Sequence, residues 1–125
     1  MNTNSCIKNL LKLILLLQNN SSNKCINNCS KPYLGVSNNS NYNTRVISLY
    51  KKNGDIYTIE YTDNEGNNLT SSIFRVMGID GDCCTLLILN NNNNNNYSST
   101  GQYITVNLNC ICAVRCLIDT NISNI

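Results

Sequence analysis

Gln102-Tyr103-Ile104-Thr105-Val106-Asn107-Leu108-Asn109-Cys110-Ile111-Cys112-Ala113-Val114-Arg115-Cys116-Leu117-Ile118-Asp119 is the stretch that decides the fold. Ile104, Val106, Leu108 and Cys110 alternate with Thr105, Asn107 and Asn109, the period of a half-buried strand. Carried on, the same period keeps Cys112, Val114 and Cys116 on the apolar face. The opposite face turns apolar at Ile111 and Ala113, so the run begins half-buried and ends buried on both sides. A chain that closes this way needs other strands beside it, and the sequence upstream supplies them.

Val46 to Lys51 and Ile56 to Tyr61 flank Asn53-Gly54, a strong hairpin signal. A two-residue loop there pairs Tyr50 with Tyr57, Ser48 with Ile59 and Val46 with Tyr61. Val46, Tyr50, Tyr57, Ile59 and Tyr61 then share an inner face. Ile73 to Ile79 and Cys83 to Leu89 form a second pair joined through Asp80-Gly81-Asp82, a turn rather than a calcium site. The second member is apolar on both faces, as a central strand is. Arg75 is the one charge in Ile73-Phe74-Arg75-Val76, and is expected on the outer face or beside an acid.

Ahead of the strands, residues 5–18 read as a helix with Ser5 as N-cap. Cys6, Leu10, Leu13 and Leu17 make one stripe, with Ile7, Leu11 and Ile14 on a neighbouring one. Its nearly all-round apolar C-terminal half calls for cover on more than one side, from the sheet or from another subunit. The run Leu10 to Leu17 is too short to span a bilayer and is broken by Lys12. No small-residue cleavage site follows it, so no signal peptide is read. Residues 19–44 are an Asn/Ser-rich loop holding Cys25, Cys29 and Pro32, with a short extended piece at Tyr33 to Val36. Asn90 to Asn96 is an asparagine tract read as loop.

The expected organisation is a single domain over 1–125. It has a helix at 5–18, a Cys-containing loop at 19–44, hairpins at 45–89, an Asn-rich loop at 90–101 and a strand region at 102–119. The fold class is mainly β, an antiparallel β-sandwich-like domain of six or seven short strands with one N-terminal α-helix. At 125 residues the chain buries roughly two thirds of its unfolded surface and needs no cross-link merely to fold.

Eight cysteines and no histidine mark the chemistry. Such thiol density belongs to disulfide-linked proteins, metal sites or reactive centres. No C-x-x-C occurs, which removes the thioredoxin-type motif and the usual zinc pair. Cys110 and Cys112, at i and i+2 on one strand, stand about 7 Å apart, too far to bridge each other. Adjacent Cys83 and Cys84 face opposite sides of their strand and address different partners. The cross-link candidates are Cys6, Cys25, Cys29, Cys83, Cys84, Cys110, Cys112 and Cys116. Cys6, Cys25 and Cys29 are expected to reach outward, and Cys110 and Cys112 to be internal. A nucleophilic cysteine has no base beside it, so no catalytic residue is read. No metal or cofactor residue is assigned. The alternative reading is a thiolate zinc module acting as regulator or carrier.

The net charge is +2 and only 13% of residues are charged. No Lys/Arg cluster points to nucleic acid or an anionic membrane, and no membrane insertion is expected. So little like-sign repulsion suits packing against identical copies.

Several of these segments carry a resemblance when set in order. A Cys-led helix runs from Cys6 to Gln18. Cys25-x3-Cys29-x2-Pro32-Tyr33-Leu34-Gly35 follows. Thr44-Arg45 opens a strand ending in Leu49-Tyr50, and Ser72-Ile73-Phe74-Arg75-Val76 precedes Asp80 and Cys84. The close is Ile104-Thr105-Val106-x-Leu108-x-Cys110-x-Cys112-Ala113-x2-Cys116-Leu117-x-Asp119. The chain resembles the CotY/CotZ/ExsY family of spore coat and exosporium proteins of endospore-forming bacteria.

The resemblance implies a non-enzymatic structural protein made in the mother-cell cytoplasm and laid on the spore surface, in coat or exosporium. It implies self-assembly into hexameric rings tiling a two-dimensional layer, hardened by intermolecular disulfides into a permeability barrier. Partners would be further copies of the chain and other coat or exosporium proteins. Cys6, Cys25, Cys29, Cys84, Cys110, Cys112 and Cys116 fall on family cysteine positions, and Cys83 is an addition.

Overall fold

The computed structural model describes residues 5–19, 42–92, 96–123 and 125. Of the loop expected over 19–44, residues 20–41, with Cys25, Cys29, Pro32 and the extended piece at Tyr33 to Val36, lie outside the described residues, while Asn19 ends the helix and Thr44 opens the first strand.

Helix α1 spans Ser5–Asn19. Among the described residues seven strands follow: β1 Thr44–Lys51, β2 Ile59–Thr62, β3 Asn68–Ser71, β4 Phe74–Asp80, β5 Cys83–Asn91, β6 Tyr97–Asn107 and β7 Ile111–Thr120. They form two antiparallel sheets, one five-stranded in the order β6-β5-β4-β1-β7 and one the two-stranded ribbon β2-β3. The mainly β class with one N-terminal helix is what the alternating pattern predicts.

The main core lies on one face of the large sheet. Ile47 and Leu49 of β1, Phe74 and Val76 of β4, Cys84, Leu86 and Ile88 of β5 and Val106 of β6 pack there with Leu11 and Ile14 of α1 and Tyr61 of β2. The Ile7, Leu11, Ile14 stripe of α1 is therefore its inner face, while Cys6 and Leu16 face solvent. Gln18 anchors the last turn of the helix. Its amide donates to the Val76 carbonyl (2.8 Å) and its oxygen accepts from the Arg45 N–H (3.0 Å). The other face gathers Val46, Leu87, Leu89 and Ile122. Among the described residues no helix is long and apolar enough to cross a membrane.

Three expectations are corrected. The first hairpin has a three-residue loop, not two. Lys51 N–H donates to Asp55 (2.8 Å), Gly54 N–H donates to Lys51 (2.9 Å), and Gly54 sits at φ +94°. That is a turn whose last residue must be left-handed, so glycine is read in the third loop position. The register moves by one, to Tyr50 opposite Ile56. After Tyr57 the chain leaves β1 and pairs β2 with β3, because β4 and β7 take both sides of β1. Val46 thus lies on the face away from Tyr57, Ile59 and Tyr61.

Second, Gln102 to Asp119 is two strands. Leu108–Cys110 forms a 3-10 turn started by an Asn107 side chain that accepts from Asn109 N–H at 2.9 Å. β6 pairs with β5 at one edge and β7 with β1 at the other. The edges of a flat five-stranded sheet stand about 19 Å apart, whereas four residue steps reach at most about 14 Å. The sheet is therefore curled, and the bend at 108–110 joins its two outer strands.

Third, Arg75 lies on the face away from the main core, opposite Leu87, as expected, but it is covered there and is not paired with an acid. It is buried, and donates to the Asn43 carbonyl and Thr44 Oγ1 (both 2.9 Å). Burial lowers its pKa below the usual arginine range. The buried ion pair belongs to Arg45, whose Nε and Nη2 donate to the two oxygens of Asp119 at 2.7 and 2.8 Å. The β4–β5 hairpin is as expected, with Asp80 opposite Cys83.

Candidate functional site

Thiols are the reactive groups of this chain, and the fold sorts them. Cys84 lies fully buried on the inner face of β5. Burial pushes its thiol from 9.0 up to about 12, so it stays protonated and inert. Cys83, one residue earlier, faces solvent, as alternation along a strand requires. Cys116 is disulfide-bonded, and its partner is none of Cys6, Cys83, Cys84, Cys110 and Cys112, the free thiols among the described residues. Cys25 and Cys29 lie outside the described residues.

Cys110 and Cys112 are exposed, which corrects the expectation that they are internal. The 3-10 turn breaks the strand period at Leu108, so Cys110 rotates off the apolar face. Ile111 takes the inward place instead, opposite Lys51. Cys112 is the extra residue of a bulge, since Lys51 opposes Ile111 and Tyr50 opposes Ala113. A bulge re-aims the side chain of its extra residue, here toward solvent. The fully buried cysteine, packed as a small hydrophobe, is Cys84. The pairing of Asn107 with Asn109 through a side chain was the available signal for the break, because an asparagine that caps its own following backbone starts turns.

Among the described residues the four exposed free thiols lie toward one corner. Cys83 lies opposite Asn107, the last residue of β6. The Asp82 carbonyl, next to it, accepts from Leu108 N–H at 2.8 Å. Cys110 ends the bend and Cys112 opens β7. Lys8 of α1 reaches Asp82 at 3.5 Å and so sets the first turn of the helix, with Cys6, beside the same place. Among the described residues no three cysteine or acidic side chains meet closely enough to hold one ion.

Beside Cys110 lies an open groove of about 530 Å³, with Tyr57, Val106 and Ile111 as apolar floor and Lys51 and Lys52 at its mouth. Burial, and then the charge of a Cys110 thiolate, pushes the Tyr57 hydroxyl above its usual range. The groove sets the Cys110 thiol beside a phenol and two lysine side chains.

These features define a class, a small curled β-domain that displays unpaired thiols on a charge-poor surface. The chain matches the family described as spore coat protein Z over residues 1–99, and it belongs to that family. Membership gives it a structural role in the spore coat and a place at the spore surface. No curated protein and no solved structure matches it.

Proposed function

We propose that this chain is a building block that assembles with identical copies into an ordered two-dimensional layer, hexagonal in plan, cross-linked by intermolecular disulfides and serving as a permeability barrier in coat or exosporium. The observation that carries this reading is the corner of four exposed free thiols, which make no bridge to one another within the chain. Thiols so displayed have their partners outside the subunit. A surface with few charges lets the copies approach.

Order of events follows from redox chemistry. The mother-cell cytoplasm keeps thiols reduced, so subunits first meet through apolar and hydrogen-bonded contacts. Rings close by a contact repeated around an axis, and tiling makes release of one subunit rare. When reducing power falls, thiols already held in reach close into bridges.

Electron microscopy of protein expressed in a reducing cytoplasm, with and without reductant, tests the reading. Ordered sheets are expected, surviving boiling detergent after oxidation and falling to monomer on addition of thiol. A soluble monomer under oxidising conditions would end the proposal. With all eight cysteines replaced by serine, sheets form but dissolve in hot detergent.

A further inference from the structure

We infer that the thiol corner is a self-complementary contact between two copies of this chain, in which Cys83 of each copy bonds to Cys110 of the other. This rests on the layer reading above and names the contact it leaves open.

The corner has two halves of opposite charge. On one side stand Lys51 and Lys52, both exposed, at the mouth of the groove that contains Cys110. On the other stands the tight β4–β5 turn, Asp80-Gly81-Asp82-Cys83, exposed throughout. Lys8 holds one oxygen of Asp82, leaving that side chain half exposed. The halves adjoin, since Asn107 lines the groove and also lies opposite Cys83. In an isologous contact the residue that meets its partner is met in return. A two-fold axis at this corner therefore sets the acidic turn of each copy against the basic groove of the other. The turn is only two residues long, Gly81 and Asp82, and Cys83 stands at its foot.

One such contact yields two bridges. An unrelated partner would have to supply both halves itself, whereas a second copy already does. Opposite charge guides the encounter before any bond forms. Docking then raises the effective concentration of each thiol toward its mate. Closure of each bridge removes two electrons and two protons from the thiol pair. A small disulfide such as oxidised glutathione accepts them. A thiolate attacks it to form a mixed disulfide and release one thiol, and the second thiolate displaces the other.

The test mixes equal amounts of protein of natural and heavy nitrogen, oxidises it with oxidised glutathione, and maps disulfide-linked peptides by mass. A Cys83–Cys110 peptide pair carrying both isotopes is expected as a major product. Reversing charge on one side, K51E with K52E or D80K with D82K, should slow its formation about tenfold, and combining all four changes should restore it. The restored variant also shows that neither half-variant fails by misfolding. Mixed-isotope bridges through other cysteines, or Cys83–Cys110 pairs of one isotope only, would overturn the inference and leave the layer reading standing. Monomer with no interchain bridge would overturn both.

Discussion

At the scale of single residues, burial decides what each group can do. Arg45 and Asp119 are both almost wholly buried and make two parallel hydrogen bonds. Removing one partner leaves the other charged, buried and alone, at a cost of about 3–5 kcal/mol. Arg45→Met is therefore expected to lower the stability of the reduced protein by that much in urea denaturation. Arg45→Met with Asp119→Leu should recover most of the loss, because two apolar side chains leave no stranded charge. Cys84 gives a prediction in pH. Its folded pKa is raised from 9.0 to about 12, so between those values the folded state holds a proton that the unfolded state has released. Stability then falls as pH rises from 9.0 toward about 12. Cys84→Ala should flatten that alkaline slope in denaturation curves taken across this range. Alkylation under native conditions at mildly alkaline pH should label Cys6, Cys83, Cys110 and Cys112 and spare Cys84 until the protein unfolds.

At the scale of elements, turns carry the information that periodicity lacks. Gly54 sits at φ +94° with open space around it, so a methyl group there meets nothing and only the backbone objects. Gly54→Ala should cost about 1–2 kcal/mol, read as a lower melting temperature, with assembly unchanged. The β4–β5 hairpin was legible because Gly81-Asp82 closes it in the shortest way. The β1–β2 turn was harder, since Asn-Gly fits both a two- and a three-residue loop, and one residue of difference moves every partner. The helix read well because Ile7, Leu11 and Ile14 keep their period to the end. The break after β6 did not, because Leu108 and Ile111 are both buried and alternation alone cannot say which intervening residue turns. That break is what exposes Cys110, and the bulge after it exposes Cys112. The thiols were visible in the sequence as candidates, but their gathering at one corner depends on the curl of the sheet, which brings β5, β6, β7 and α1 together there.

At the scale of the whole molecule, the thiols and the asparagine tract occupy opposite ends of β5. Cys83 opens the strand and Asn91 closes it, eight residue steps apart, or about 26 Å. The flanks of the tract are tied as a hairpin, with Asn92 N–H donating to the Asn96 carbonyl at 2.7 Å and Asn91 opposite Tyr97. Asn90 and Asn91 belong to β5, opposite Ser98 and Tyr97, so the β5–β6 pair is already formed where residues 92–96 begin. Chain added at such a tip costs little, because loop-closure entropy grows only with the logarithm of length. If cross-linking belongs to the thiol corner, the far tip is free to vary. Replacing residues 92–96 with a tight Asn-Gly turn should leave the disulfide map and the detergent resistance of the oxidised layer unchanged. The same variant should keep the melting temperature of the reduced protein or raise it slightly. Electron microscopy of the shortened protein beside the parent reads the outcome. Loss of ordered sheets by a variant that still folds would mean that the asparagine end is itself a lattice contact, and the layer would then be held from two ends rather than one.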